Sequence, residues 1–132
     1  MIRIVLALWM MASLAWAQGP KWEVSLGTRE GGQGEAYTVS SSGDIWRENL
    51  GAKTREVTGV VNQDYLQALQ MLLADPELAE QYAQKSAPKT RFLKYTYGDV
   101  QKTFVVEADG RFPERVSRIE AEVERALRAA KQ

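Results

Sequence analysis

The hydrophobic period of this sequence switches repeatedly along the chain, and this switching restricts the fold more than any other feature. Between Trp22 and Leu26, apolar and polar residues alternate, which is the period-two pattern of a half-buried strand. From Asn62, apolar residues recur every three or four positions, as in an amphipathic helix. Residues 93–104 return to alternation and residues 113–130 to helical spacing. Strands, a helix, strands and a helix in this order indicate an α+β domain.

The first half of the predicted sheet contains a second hairpin around Ser42-Gly43-Asp44, because Gly43 can adopt the positive φ of a tight turn. A two-residue loop would place Val39 and Trp46 on one face of the sheet. A three-residue loop would pair Val39 with Ile45, and the pattern leaves both registers open. Residues 54–58 add one short further strand.

The second half has clearer boundaries. Asn62 is a good helix N-cap, and Pro113 suits the first turn of the last helix. A two-residue loop at Gly98-Asp99 pairs Leu93 with Phe104 and leaves one apolar face. The sequence therefore predicts an antiparallel sheet of about five strands with two helices on one face, in the order β-β-β-(β)-α-β-β-α.

The N-terminus reads as an export signal. Arg3 supplies a positive charge, residues 4–16 form a short apolar run, and Ala15 and Ala17 complete an A-x-A cleavage pattern. We expect residues 1–17 to be removed, leaving residues 18–132 as one small domain with no stable membrane insertion. The expected location is secreted or periplasmic.

Composition excludes several classes of function. The chain has no histidine and no cysteine, which removes Ser-His-Asp and Cys-His catalysis and thiolate or imidazole metal sites. Its 17 basic and 17 acidic residues balance, so it lacks the positive field of a nucleic-acid binder. The closest carboxylate cluster, Glu107, Asp109 and Glu114, lacks the spacing of a calcium loop. We therefore expect neither catalysis nor a bound metal or cofactor.

The segment from Gly27 to Glu35 contains four glycines in nine residues and cannot supply a core of its own. It is predicted to be a mobile hairpin loop, and an exposed loop of this kind is the best candidate for contact with a partner. The candidate partner-binding residues are Arg29, Glu30, Gly31, Gly32, Gln33, Gly34 and Glu35.

The element order also supports a family resemblance. The run from Glu30 to Val39 places Gly-Gly before a Tyr-x-Val strand, and a leucine-rich helix, a hairpin and a proline-led helix follow. Over most of residues 22–127 this order resembles the emfourin-type inhibitors of thermolysin-like metallopeptidases. The resemblance implies that the loop from Gly27 to Glu35 and its neighbours contact a peptidase.

Two classes of function remain open. The first is an exported, non-catalytic interaction domain with a protein partner such as a peptidase, which it contacts through the glycine-rich loop or through the solvent-exposed face of the sheet. The second is a small-molecule or envelope-polymer binder, with carboxylate-based hydrolysis by Glu107 and Asp109 as a remote variant. A concave pocket lined by Trp46 and the tyrosines would favour the second class. At strand spacing, however, aromatic residues are more often part of the core, and here they are Trp22, Trp46, Tyr95 and Tyr97.

Export makes a direct prediction about the mass of the protein. Protein recovered from the envelope or the medium should begin at Gln18, with or without cyclisation of that residue, or two residues earlier at Trp16. Intact-mass spectrometry measures this. Recovery of full-length protein that retains Met1 would contradict the prediction.

Overall fold

The computed structural model describes residues 19–130, and the predicted export signal lies outside them. Within this range, six strands form one antiparallel sheet in the order β4-β3-β2-β1-β5-β6. The predicted α+β class is confirmed, with six strands instead of about five. The elements are β1 (Trp22–Glu30), β2 (Gln33–Ser40), β3 (Asp44–Asn49), β4 (Thr54–Val60), α1 (Gln63–Leu73), a 3-10 helix (Pro76–Glu80), β5 (Lys89–Tyr97), β6 (Val100–Glu107) and α2 (Glu114–Ala130).

One face of the sheet is covered by both helices and carries the core. On β1, Trp22 and Val24 are buried while Glu23 between them is exposed, as the alternating pattern predicts. Val24 pairs with Val39 on one side and with Tyr95 on the other, so apolar side chains form rows across the strands. The helices contribute the buried residues Leu66, Leu69, Leu73, Val116, Ile119, Val123 and Ala126. Each large apolar side chain buried in this way stabilises the fold by about 1.5–3 kcal/mol.

The β2–β3 turn adopts the three-residue alternative. Val39 pairs with Ile45, and Gly43 has a φ of 97°. The Gly43 amide donates a hydrogen bond of 2.9 Å to the Ser40 carbonyl. This register places Trp46 opposite Thr38, on the face of the sheet that the helices do not cover.

The predicted start of the first helix and the predicted hairpin at Gly98-Asp99 are also present. The Asn62 side chain accepts a hydrogen bond of 3.0 Å from the Asp64 amide at the start of α1. In the β5–β6 hairpin, Leu93 pairs with Phe104. Lys102 lies on the helix-covered face, where its ammonium donates to the Ala79 carbonyl of the 3-10 helix. This bond accounts for a cation in an otherwise apolar row.

The prediction of a mobile loop from Gly27 to Glu35 is wrong. β1 continues to Glu30 and β2 begins at Gln33, so that only Gly31 and Gly32 form the turn. The same end of β1 also pairs with β5, up to Glu30 opposite Lys89. Backbone pairing on both sides holds the segment in place, and the glycine count misled the sequence interpretation because two of these glycines serve packing.

Gly27 and Gly34 allow β1 and β2 to approach each other closely. A Cβ atom at Gly27 would lie 2.5 Å from the Glu35 carbonyl oxygen and 2.7 Å from the Ala36 Cβ. A Cβ atom at Gly34 would lie 2.1 Å from the Thr28 carbonyl oxygen. Both glycines face the uncovered side of the sheet, where the absence of a side chain permits this close approach of the two backbones.

The two turn glycines should respond differently to alanine. Gly31 has a φ of 62° whereas Gly32 is outside the positive-φ region, and neither would place a Cβ within 4 Å of another atom. We expect Gly31→Ala to cost about 1–2 kcal/mol of unfolding free energy through backbone strain. Gly32→Ala should be neutral or stabilise slightly by restricting the unfolded chain. Urea unfolding of the matched pair measures this, and equal costs would contradict the turn geometry.

Candidate functional site

The candidate residues from Arg29 to Glu35 do not share one surface. Four exposed residues form the end of the β1–β2 hairpin, which we call the hairpin tip: Glu30, Gly31, Gly32 and Gln33. Arg29 is exposed and its guanidinium lies 5.5 Å from the Phe92 ring centroid. Glu35 is half-buried and faces the helix side, where it accepts a 2.5 Å bond from Arg47 and raises the pKa of that guanidinium.

The uncovered face of the sheet contains a hydrogen-bonded hydroxyl pair in which Thr38 is buried and Ser25 is half-buried. Thr38 is only 1% exposed although no element of the described chain covers this face. Its hydroxyl lies 2.7 Å from the Ser25 hydroxyl and donates a 3.3 Å bond to Glu48. Thr38 is therefore shielded from water by the neighbouring side chains of the sheet itself.

On the same face, Arg55 contacts side chains of two other strands, so that the layer joins β4, β3 and β1. Its guanidinium lies 4.4 Å from the Trp46 ring centroid. It also lies 3.5 Å from a Glu23 carboxylate oxygen and 3.6 Å from a Glu48 oxygen. Stacking on one side and two carboxylates on the other restrict both Arg55 and the half-buried indole of Trp46.

A cleft of about 890 Å³ lies at the end of the sheet where β1 begins. We call it the end cleft. It extends from α1, across the β2–β3 turn, to Glu23 and Trp46 on the uncovered face, and it lies at the opposite end of β1 from the hairpin tip. Its polar lining comprises Lys21, Glu23, Ser40, Ser41, Ser42, Asp44, Gln63, Gln67, Gln70 and Thr96.

A smaller cleft of about 250 Å³ lies between α2 and the helix-covered face of the sheet. Arg91 occupies its wall, bonding to Glu120 at 2.5 Å and to the Gly110 carbonyl at 2.5 Å. Burial raises the pKa of Glu120 above its ordinary value of 4.5, while Arg91 opposes the shift and Glu124 adds to it. The Arg91 guanidinium also lies 5.2 Å from the ring centroid of Phe112, a buried core residue. The ion pair therefore helps to hold α2 against the sheet.

The carboxylates Glu107, Asp109 and Glu114 do not converge. Glu107 and Asp109 are exposed, and Glu114 pairs with Arg118 at 2.6 Å on the surface of α2. Across residues 19–130, no group of three or more acidic side chains is arranged to hold a metal ion. In the same range, no helix is long and apolar enough to cross a bilayer.

Sequence reasoning missed the end cleft. Of the aromatic residues considered, Trp22 and Tyr95 are buried in the core, and only Trp46 contributes a side chain that is half-buried beside the cleft. The available signals were the three consecutive serines ending at Ser42 and the glutamines Gln63, Gln67 and Gln70. The glutamines recur at helical spacing on one side of α1, which is typical of a polar helix face.

Comparisons with known proteins do not assign the chain to a family. Protein-family models gave no match, and neither did a search of curated proteins. The resemblance to emfourin-type inhibitors therefore stays a prediction.

The shifted pKa of Glu120 predicts the direction of a pH effect. Because this pKa is raised in the folded state, the folded protein takes up the proton at higher pH than the unfolded chain does. The contribution of this group to stability therefore increases as the pH falls through the raised pKa. Gln at this position does not titrate and resembles the protonated acid.

We expect the unfolding free energy of the parent, relative to that of Glu120→Gln, to rise as the pH falls from about 7 to about 4. Urea unfolding of both proteins across this range measures the difference. Glu114→Gln, which breaks an exposed pair of α2, is the matched control for the loss of an ion pair from the same helix. A difference that falls with decreasing pH would contradict the burial argument.

Proposed function

We propose that this chain is an exported, non-catalytic interaction domain whose partner is a protein, and that the hairpin tip is its main contact. The main support for this proposal is that the hairpin tip is exposed to solvent. The two strands that carry it, β1 and β2, are each paired with a further strand of the sheet. The resemblance to emfourin-type inhibitors supplies the partner class, a thermolysin-like metallopeptidase, and the role of inhibitor.

The rigidity of the hairpin tip supports this role. Glu30 pairs with Gln33 across the hairpin and with Lys89 on β5, so the strand ends are not free to fray separately. The turn needs only two residues, with Gly31 in the left-handed conformation that glycine adopts at no steric cost. A projection ordered before binding loses less conformational entropy on complex formation than a flexible loop does.

The chemistry of the titratable groups supports a non-catalytic role. Histidine and cysteine are absent from the sequence, which leaves carboxylates, lysines and tyrosines for proton transfer. Among the described residues, two acidic groups have raised pKa values, and both are explained by packing within the fold. Burial in the core raises the pKa of Tyr95, and the Glu120 carboxylate is held by Arg91.

Inhibition of thermolysin tests the proposal. The parent protein should bind thermolysin and inhibit it, measured by calorimetry and by peptide hydrolysis. The double variant Glu30→Ala, Gln33→Ala should bind at least about tenfold more weakly, which corresponds to about 1.4 kcal/mol. Both side chains are exposed, so stability should change by no more than about 1 kcal/mol in total.

The control lies at the opposite end of the sheet. Asp99→Ala with Gln101→Ala also removes two exposed polar side chains next to a hairpin turn, and it should bind as the parent does. Absence of any complex with thermolysin would refute the inhibitor assignment. A complex of unchanged affinity with the tip variant would instead show that another surface makes the contact.

A further inference from the structure

We propose that the end cleft is a second binding site, separate from the hairpin tip, and that its ligand is an uncharged saccharide. The nine residues of β1 separate the two sites by roughly 25 Å, since a strand rises about 3.3 Å per residue. The cleft volume of about 890 Å³ is sufficient for a ligand of several sugar rings, because pockets for drug-sized molecules span roughly 300–1,000 Å³.

The lining of the end cleft matches the hydrogen-bonding chemistry of sugars. Sugar hydroxyls both donate and accept, and the cleft is lined by groups that do the same. A serine or threonine hydroxyl has one donor and two acceptor positions, and a glutamine amide has two donors beside its carbonyl oxygen. These groups are the hydroxyls of Ser40, Ser41, Ser42 and Thr96 and the amides of Gln63, Gln67 and Gln70.

Internal hydrogen bonds orient several of these groups before any ligand binds. The Ser41 hydroxyl oxygen accepts a 3.3 Å bond from the Trp22 amide, so its own proton remains available for donation. Ser42 donates a 3.2 Å bond to Asp44 and lies 2.6 Å from the Ser40 hydroxyl. Preorientation of this kind reduces the entropic cost of binding a polar ligand.

The charges in the end cleft disfavour an anionic ligand. Among the described residues that line the cleft, Lys21 is the single cation, whereas Glu23 and Asp44 are both acidic. Phosphate and carboxylate ligands are held by clusters of arginine and lysine or by bidentate guanidinium contacts. An uncharged ligand can instead use the two carboxylates as hydrogen-bond acceptors.

Trp46 supplies an aromatic surface for the C–H groups of a sugar ring. The indole lines the cleft, and the Arg55 guanidinium stacked 4.4 Å from its centroid limits its rotation. Aromatic rings with one polar edge combine a large apolar contact area with little loss of conformational freedom. Together with the hydroxyl and amide groups, this ring favours a saccharide over an apolar ligand.

Calorimetric titration of the protein with chitohexaose, cellohexaose and maltohexaose tests the site. We expect saturable binding of at least one of them, together with a shift of the Trp46 indole N–H signal in NMR spectra. Trp46→Ala and Gln67→Ala should each weaken that binding at least about tenfold. Gln67 is exposed on α1, so its variant should fold normally even where Trp46→Ala does not.

Two controls match these variants outside the end cleft. Met71→Ala removes an exposed side chain from the same helix, and Tyr82→Ala removes an exposed aromatic side chain. Both should bind within about twofold of the parent. Absence of binding of all three sugars to protein with an unchanged melting temperature would overturn the proposal. It would also be overturned by unchanged affinity of Gln67→Ala, or by tighter binding of anionic hexagalacturonate.

Discussion

The pairing of β1 with both β2 and β5 is the constraint on which the rest of the structure depends. β1 comes first among the described strands but lies inside the sheet. One edge of β1 pairs with β2, which follows it directly, and the other edge pairs with β5, which comes much later in the chain at residues 89–97. The buried row of Val24, Val39 and Tyr95 exists only when all three strands are in register. The helices can then cover one continuous apolar surface, and this long-range pairing is expected to form late because its closing loop is long.

Local features could be predicted from the sequence wherever a residue or pattern had a single physical explanation. Asn62 as an N-cap, the turn at Gly98-Asp99 and the apolar stripe of α2 each follow from a local rule, and the structure has all three. The length of the β2–β3 loop could not be decided from the sequence, because both lengths can use a positive φ at Gly43. The three-residue form places Ile45 in the core, and burial of that side chain favours it.

The Gly27 to Glu35 segment was misread for a physical reason that single residues do not reveal. Glycine in a sequence signals either conformational freedom or the absence of a side chain, and these have opposite consequences for mobility. Gly31 uses its conformational freedom in a turn. Gly27 is needed because a side chain would meet the neighbouring strand at 2.5 Å, a contact that depends on the pairing partner. The end cleft was missed similarly, since its serines and glutamines converge only after β2 and α1 have packed together.

The hairpin tip and the end cleft lie at opposite ends of one strand pair. The β1–β2 hairpin is paired throughout, with residues from Glu23 to Glu30 each opposite a partner on β2. A binding event at one end can alter affinity at the other only through an element that has two alternative arrangements. A sheet strand fixed on both sides, with the part-buried Ser25–Thr38 hydroxyl pair midway, does not supply such an element. The two proposed sites are therefore expected to act independently, with occupancy of the end cleft leaving affinity at the hairpin tip unchanged.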